Sequence, residues 1–99
     1  MLFMVVTRDK ADSVQLRMDT RPAHLEYLNS AGDRVKLAGP VMSTGDEPQP
    51  IGSVILIDAA SEGAAKIFAD NDPYTLAGLF ETVEILPWRA ALGDWKPAE

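Results

Sequence analysis

The chain is predicted to form an α+β domain with a four-stranded antiparallel sheet and the element order β-α-β-β-α-β. Two apolar runs that do not alternate with polar residues, 2–7 and 53–57, are typical of central strands. Two other strand-like segments each contain a proline, which removes a backbone donor and so favours an edge strand. Helix-like segments separate these strands in the order of a split β-α-β fold.

The first strand is predicted over residues 2–7, and three charged residues end it at once. Residues 12–18 are expected to form only a short helical turn. A helix then starts again at Pro22, because a proline in the first turn of a helix lacks only an N–H that has no acceptor there.

The first helix carries an apolar stripe that includes the only histidine. His24, Tyr27, Leu28 and Ala31 follow the spacing i, i+3, i+4 and i+7, which places them on one helical face. Gly32 is expected to cap the C-terminal end of this helix.

The middle of the chain is predicted to hold an edge strand, a loop and a central strand. Residues 35–42 form the edge strand because Pro40 lies inside it. Glycine and proline break residues 43–52 into a loop. The third strand follows at 53–57.

The second half of the chain repeats the helix-then-strand order. Ser61 is predicted to cap the second helix, and Glu62 suits its positive end. Asp72 and Pro73 begin a short helical turn that Gly78 closes. The last strand covers residues 80–88 and contains Pro87, which again indicates an edge.

The element order is that of the ferredoxin-like fold, whose spatial strand order 4-1-3-2 places the first and third strands in the middle. Helices cover one face of such a sheet, yet the first strand is apolar on both faces. We therefore expect a second copy of the sheet to cover the other face, forming a homodimer.

Composition limits the function. The 99 residues are expected to form one domain over 1–89, with a C-terminal tail over 90–99. The net charge of −6 argues against a nucleic-acid or membrane partner. With no cysteine and one histidine, no metal and no cofactor is expected. No leader or membrane span is recognised, so a cytoplasmic location is expected.

The topology predicts that His24 and Asp72 meet at one end of the sheet, with Tyr74 close by. His24 is placed in the first turn of the first helix, and Asp72 just before the fourth strand. Structural roles compete with this interpretation: a lone histidine is often a hydrogen-bonded core residue, and Asp72 before Pro73 is a good helix cap.

The chain resembles the YciI-like (YCII-related) family. The residues that carry the resemblance lie in segments 9–13, 21–25, 38–40, 72–74, 77–78, 80–81 and 83–88. The departures are a shorter turn at 32–33 and the tail after Trp88.

The resemblance implies a dimeric α+β barrel with a His–Asp pair, His24 and Asp72, as the proposed active site. It carries over more weakly to Arg21, Gly39, Pro40 and Tyr74 as substrate-binding residues. One relative is a dehydrochlorinase of chloroaromatic breakdown.

Two classes of function follow from these residues. In the first, His24 and Asp72 transfer a proton in a lyase, isomerase or dehydrochlorinase reaction on a carbonyl or lactone compound, with Ser43 as a further substrate-binding residue. In the second, a non-catalytic dimer binds a small metabolite or a partner in the same pocket. Analogy of fold alone adds monooxygenase or isomerase chemistry.

Overall fold

The computed structural model describes residues 1–95. They form four strands and three α-helices, with a short 3-10 turn at Gly32–Arg34. The elements are β1 (Leu2–Asp9), α1 (Val14–Ser30), β2 (Val35–Met42), β3 (Pro50–Asp58), α2 (Glu62–Asp70), α3 (Pro73–Leu76) and β4 (Phe80–Pro87). No helix among them is long and apolar enough to cross a membrane.

The four strands form one antiparallel sheet in the order β2-β3-β1-β4. This is the predicted order, read from the opposite edge. β2 and β4, which were predicted as edge strands from Pro40 and Pro87, lie at the edges, where a missing backbone donor leaves no partner unpaired. The predicted order and the edge positions are therefore confirmed.

The core lies between one face of the sheet and the helices. Phe3 and Val5 of β1 and Ile55 and Ile57 of β3 point into it and are almost fully buried. The other face of β1 is only half-buried within the chain, since Leu2, Met4 and Val6 alternate with the core residues. The predicted burial of both faces is therefore not achieved by the chain alone.

The prediction of a helix that restarts at Pro22 is wrong. α1 runs without a break from Val14 to Ser30, and Pro22 lies inside it. Pro22 has no N–H to donate to the carbonyl of Met18. Met18 has its side chain exposed on the outer side of the helix, so solvent can reach this part of the backbone. Packing of the opposite side of α1 against the domain outweighs the local cost of the proline.

The helix ends predicted from Ser61, Gly32 and Gly78 are confirmed. The Ser61 hydroxyl accepts a hydrogen bond from the Ala64 N–H at 3.1 Å. Gly32 and Gly78 have φ angles of 63° and 77°, in the left-handed region that glycine adopts without strain at a helix C-terminus. The third strand begins at Pro50, three residues earlier than predicted, so the preceding loop is shorter.

An open apolar face remains on the side of the sheet away from the helices. It carries Leu37 and Leu86, with 46% and 43% of their surface exposed, and the half-buried Leu56. Trp88 and Trp95 lie beside it and, with Leu2, Leu37 and Leu56, line a cleft of about 640 Å³. The end of the predicted tail, 96–99, lies outside the described residues.

Replacement of Gly52 by alanine is expected to destabilise the domain. Gly52 lies in the central strand β3, and an added Cβ would collide with the backbone carbonyl of Thr7 on β1. Backbone atoms of a paired strand cannot move aside cheaply, so the free energy of unfolding should fall by about 2–3 kcal/mol. Urea denaturation measures this change.

The matched control is Gly39→Ala on the edge strand β2. No atom lies within 4 Å of a Cβ placed there. Its free energy of unfolding should stay within about 0.5 kcal/mol of the original. Equal losses of unfolding free energy in Gly52→Ala and Gly39→Ala would contradict the close approach of β3 to β1 at Gly52.

Candidate functional site

His24 and Asp72 form a buried hydrogen-bonded pair. His24 Nδ1 lies 2.9 Å and 3.0 Å from the two Asp72 carboxylate oxygens. His24 is 7% exposed and Asp72 2% exposed. The predicted contact between these two residues is therefore confirmed, although His24 lies in the second half of α1 and not in its first turn.

Asp72 serves two partners at once. Its Oδ1 also accepts a hydrogen bond from the Tyr74 backbone N–H at 2.9 Å, so it caps α3, with Pro73 at the first helical position. The cap and the histidine contact are thus not alternatives. Because the cap fixes the carboxylate, the His24 ring is oriented by the start of α3.

Tyr74 covers one side of the histidine. Its ring lies 4.0 Å from the His24 ring, centroid to centroid, at an interplanar angle of 18°. Phe80 meets the same tyrosine edge-on at 5.9 Å. The tyrosine is 1% exposed, so its phenol and the imidazole share a largely dry environment.

Arg17 is a site residue that the sequence interpretation missed. Its Nε and Nη2 donate to the two Asp9 carboxylate oxygens at 2.7 Å and 3.0 Å. Nη2 also donates to the Ser53 hydroxyl at 2.8 Å. The guanidinium carbon lies 4.6 Å from the centre of the Tyr74 ring.

The charges around Tyr74 act on its phenol in opposite directions. Burial raises the pKa of Tyr74 above its ordinary value, and the positive charges of Arg17 and Arg21 offset part of that increase. Burial by itself lowers the pKa of Arg17, but the hydrogen bond and charge of Asp9, together with Tyr74, raise this pKa overall. Tyr74 is thus a neutral phenol beside a permanent cation at neutral pH.

The second nitrogen of His24 remains free within residues 1–95. No hydrogen bond there reaches Nε2, and Thr7 Oγ1 is the one buried side-chain nitrogen or oxygen without a partner in that range. Nε2 is therefore not sealed from solvent. With the Nδ1 proton donated to an ionised Asp72, Nε2 presents a lone pair that can accept a proton.

The other predicted site residues lie in different surroundings. Arg21 is one turn before His24 on α1, and its charge acts on Tyr74. Gly39 and Pro40 border a cleft of about 370 Å³ that Trp95 also lines. Ser43 exchanges two hydrogen bonds with Gln49 inside the β2–β3 loop. Among the described residues, no hydrogen bond joins the last three to His24, and their roles stay predictions.

Two further features bear on what the site can hold. In the described part of the chain, no three His, Cys, Asp or Glu residues are grouped so that they could hold a metal ion. Three clefts on its surface do not include His24, Asp72 or Tyr74 among their lining residues. Because His24 is only 7% exposed, a ligand would reach it by its narrow exposed edge or after a local opening of the structure.

Comparison with known proteins adds independent evidence. A family profile described as the YCII-related domain matches residues 1–89. Protein YciI of Escherichia coli O6:H1 is 38% identical over 96 residues, covering 90% of this chain and 97% of that protein. The Emericella nidulans protein named derivative of benzaldehyde biosynthesis cluster protein C is 36% identical over 83 residues, covering 77% and 85%.

A solved structure resembles this fold closely. It is 5-chloro-2-hydroxyhydroquinone dehydrochlorinase (TftG) from Burkholderia phenoliruptrix in complex with 2,5-dihydroxybenzoquinone. The TM-score is 0.86 at 32% sequence identity, and the match covers 92% of this chain and 96% of that one. The profile match over most of the chain, together with the 38% identity to YciI, shows that the chain belongs to the family of proteins with a YCII-related domain.

Proposed function

We propose that this protein is a small-molecule enzyme in which His24 acts as a general base and Asp72 orients it. The observation that carries this proposal is the buried His24–Asp72 pair with its free Nε2. A carboxylate on Nδ1 fixes the tautomer and stabilises the imidazolium that forms when Nε2 takes a proton.

The supported reaction class is elimination or isomerisation next to a carbonyl group. Nε2 removes a proton, and the electrons of the broken bond move into an enolate. In a dehydrochlorination those electrons then expel chloride, so hydrogen chloride is lost overall. Tyr74, a neutral phenol at neutral pH, is the candidate donor to the enolate oxygen, and Arg21 adds positive charge near it.

The substrate class is proposed from the similar structure. That protein is named a dehydrochlorinase of a chlorinated hydroxyhydroquinone and was solved with a dihydroxybenzoquinone. A hydroxylated, quinone-type ring carries both the carbonyl oxygen and the removable proton that this mechanism needs. We therefore propose oxygenated aromatic or quinone-type compounds as substrates.

A second candidate function is ligand binding without catalysis. One observation favours it: His24 is only 7% exposed, and none of the clefts described above is lined by it. In that case a quinone-type compound would raise the melting temperature of the protein without being converted.

His24→Gln and Asp72→Asn are expected to lower kcat without loss of the fold. Asparagine caps a helix about as well as aspartate, so Asp72→Asn removes charge and tautomer control and leaves α3 in place. Loss of the base should lower kcat at least 100-fold, within the range of about 10²–10⁴ for general-base catalysis. Chloride release from 5-chloro-2-hydroxyhydroquinone under argon measures this effect.

The matched control is Asp70→Asn. Asp70 lies two residues before Asp72, and its exposed carboxylate pairs with Lys66. The kcat of this variant should equal that of the unmodified protein. Full activity in His24→Gln would refute the assignment of the base. Binding without turnover by the unmodified protein would favour the second candidate.

Stability should decrease at alkaline pH as the tyrosines ionise. Burial raises the pKa of both Tyr27 and Tyr74, so the folded chain holds these protons more tightly than the unfolded chain. The resulting contribution to folding stability is fully present below the tyrosine pKa of about 10 in the unfolded chain. It is lost as pH rises through the tyrosine pKa values of the folded chain. Phenolate absorbance should therefore appear at higher pH in the folded protein than in urea.

The variants Tyr27→Phe and Tyr74→Phe assign this effect, because each leaves a single tyrosine. Each remaining tyrosine should titrate above its value in the denatured chain. Coincident titrations of the folded and denatured forms would show that burial does not raise the pKa of these two phenols.

The second copy of the sheet expected from the sequence is also part of this proposal: we propose a homodimer formed through the open apolar face. The exposed Leu37 and Leu86 and the half-buried side chains between them support it. A stable interface of this kind buries about 1,200 Å² or more in total.

Light scattering should give twice the 10.7 kDa chain mass. Leu86→Glu on the open face should produce monomers, because it would bury a charge without a partner. Ile67→Glu, on the exposed side of α2, is the control and should leave the mass unchanged. A monomer at micromolar concentration of the unmodified chain would refute the dimer.

A further inference from the structure

Three planar side-chain groups lie next to one another in space at the contact between α1 and α3. Arg17 and His24 are seven residues apart on α1, which is two helical turns or roughly 10 Å along the axis. The Tyr74 ring contacts both, at 4.6 Å from the guanidinium carbon and 4.0 Å from the imidazole centre. The tyrosine ring therefore fills the space between a permanent cation and a titratable one.

Arg17 is held by hydrogen bonds to residues of two strands. Asp9 at the end of β1 binds it with two hydrogen bonds, and Ser53 on β3 binds it with a third. Its side chain is 4% exposed. The guanidinium is thus a fixed part of the protein before any ligand arrives.

The fixed cation lies against the Tyr74 ring, which His24 also contacts. Its contact with the tyrosine ring is a cation–π interaction, which holds the ring in position. A protonated His24 would place a second positive charge on the same ring, close to the first. Asp72 favours that second charge, whereas Arg17 opposes it.

We propose that Arg17 is a positioning residue of this site, which holds Tyr74 against His24 and opposes protonation of the imidazole. His24 then remains a proton acceptor although a carboxylate is bonded to it. As a statement about catalysis this inference rests on the proposed function, but the protonation of His24 can be measured without any substrate.

Several charged or titratable groups surround the contact of His24 with Tyr74 and Asp72, and the test must change only one pair of them. α1 contributes Arg17, Arg21 and Tyr27, and α3 with its cap contributes Tyr74 and Asp72. β1 contributes Asp9, which is bonded to Arg17. The pair to change is Arg17 with Asp9, because neither residue touches the His24 ring.

The experiment follows the single histidine by NMR as pH is varied. Arg17→Met removes the cation and leaves Asp9 negative, so the pH of half-protonation of His24 should rise, by about half to one pH unit at an effective dielectric between those of protein and water. Asp9→Asn leaves the cation uncompensated, so the same midpoint should fall.

Opposite shifts are the decisive result, because a merely structural disturbance would not depend on which charge was removed. Shifts in the same direction, or no shift in either variant, would overturn the inference. Arg17→Lys keeps the charge and protects the test against misfolding of the methionine variant. Its midpoint should stay close to that of the unmodified protein, and a midpoint equal to that of Arg17→Met would also overturn the inference.

Arg34→Met is the matched control. Its guanidinium lies 5.7 Å from the centre of the Phe68 ring, so it removes a similar contact away from His24. It should leave the midpoint unchanged, and a shift as large as that of Arg17→Met would refute a specific role of Arg17. Failure of the proposed function would appear as full activity in His24→Gln and would not alter these titrations.

Discussion

The contact between α1 and the start of α3 is the interaction on which the rest of the site depends. Asp72 ends the turn after α2, caps α3 and bonds the His24 ring with a single carboxylate. α3 is only four residues long and would not be stable by itself, since short helices form too few hydrogen bonds to repay their nucleation. Its position is set by this cap and by Tyr74, which lies between two side chains of α1.

Burial of so many polar groups is costly unless each finds a partner. Arg17 and Asp9 would each leave an uncompensated charge if the other were removed, a loss of about 3–5 kcal/mol for buried pairs. Here the arginine satisfies two carboxylate oxygens and a hydroxyl. Thr7 Oγ1, opposite Ser53 in the sheet, is buried without a partner among residues 1–95. An unpaired hydroxyl beside this network is the kind of group that a bound water or a ligand oxygen satisfies.

The two faces of the sheet are used for different purposes. The helical face holds the apolar core and, at the Thr7 end of β1, the Asp9–Arg17–Ser53 network. The other face is apolar and open within the chain, with two exposed leucines and two tryptophans along one end. The proposed dimer would cover that face, and the proposed chemistry would remain within each subunit.

The sequence by itself determined the strand order and most helix ends, because these depend on local chemistry. Unbroken apolar runs identified the central strands, Pro40 and Pro87 the edges, and Ser61, Asp72 and Gly78 the helix ends. Only the tertiary structure decided the course of α1 and the environment of His24. Local propensity favoured a break at Pro22, but packing on the opposite side of α1 kept the helix continuous.

The predicted break at Pro22 is also the reason that the sequence interpretation missed Arg17. Arg17, Arg21, His24 and Leu28 follow the 4-3-4 spacing of one helical face, a signal that exists only if the helix passes through Pro22. Ser53 lies 36 residues after Arg17 in the sequence. Only the pairing of β1 with β3 brings Ser53 close to Asp9 and Arg17. The sequence predicted the His24–Asp72 contact from the order of the elements together with the family resemblance, although it placed His24 in the wrong part of α1. The orientation of each side chain depends on packing that no local pattern encodes.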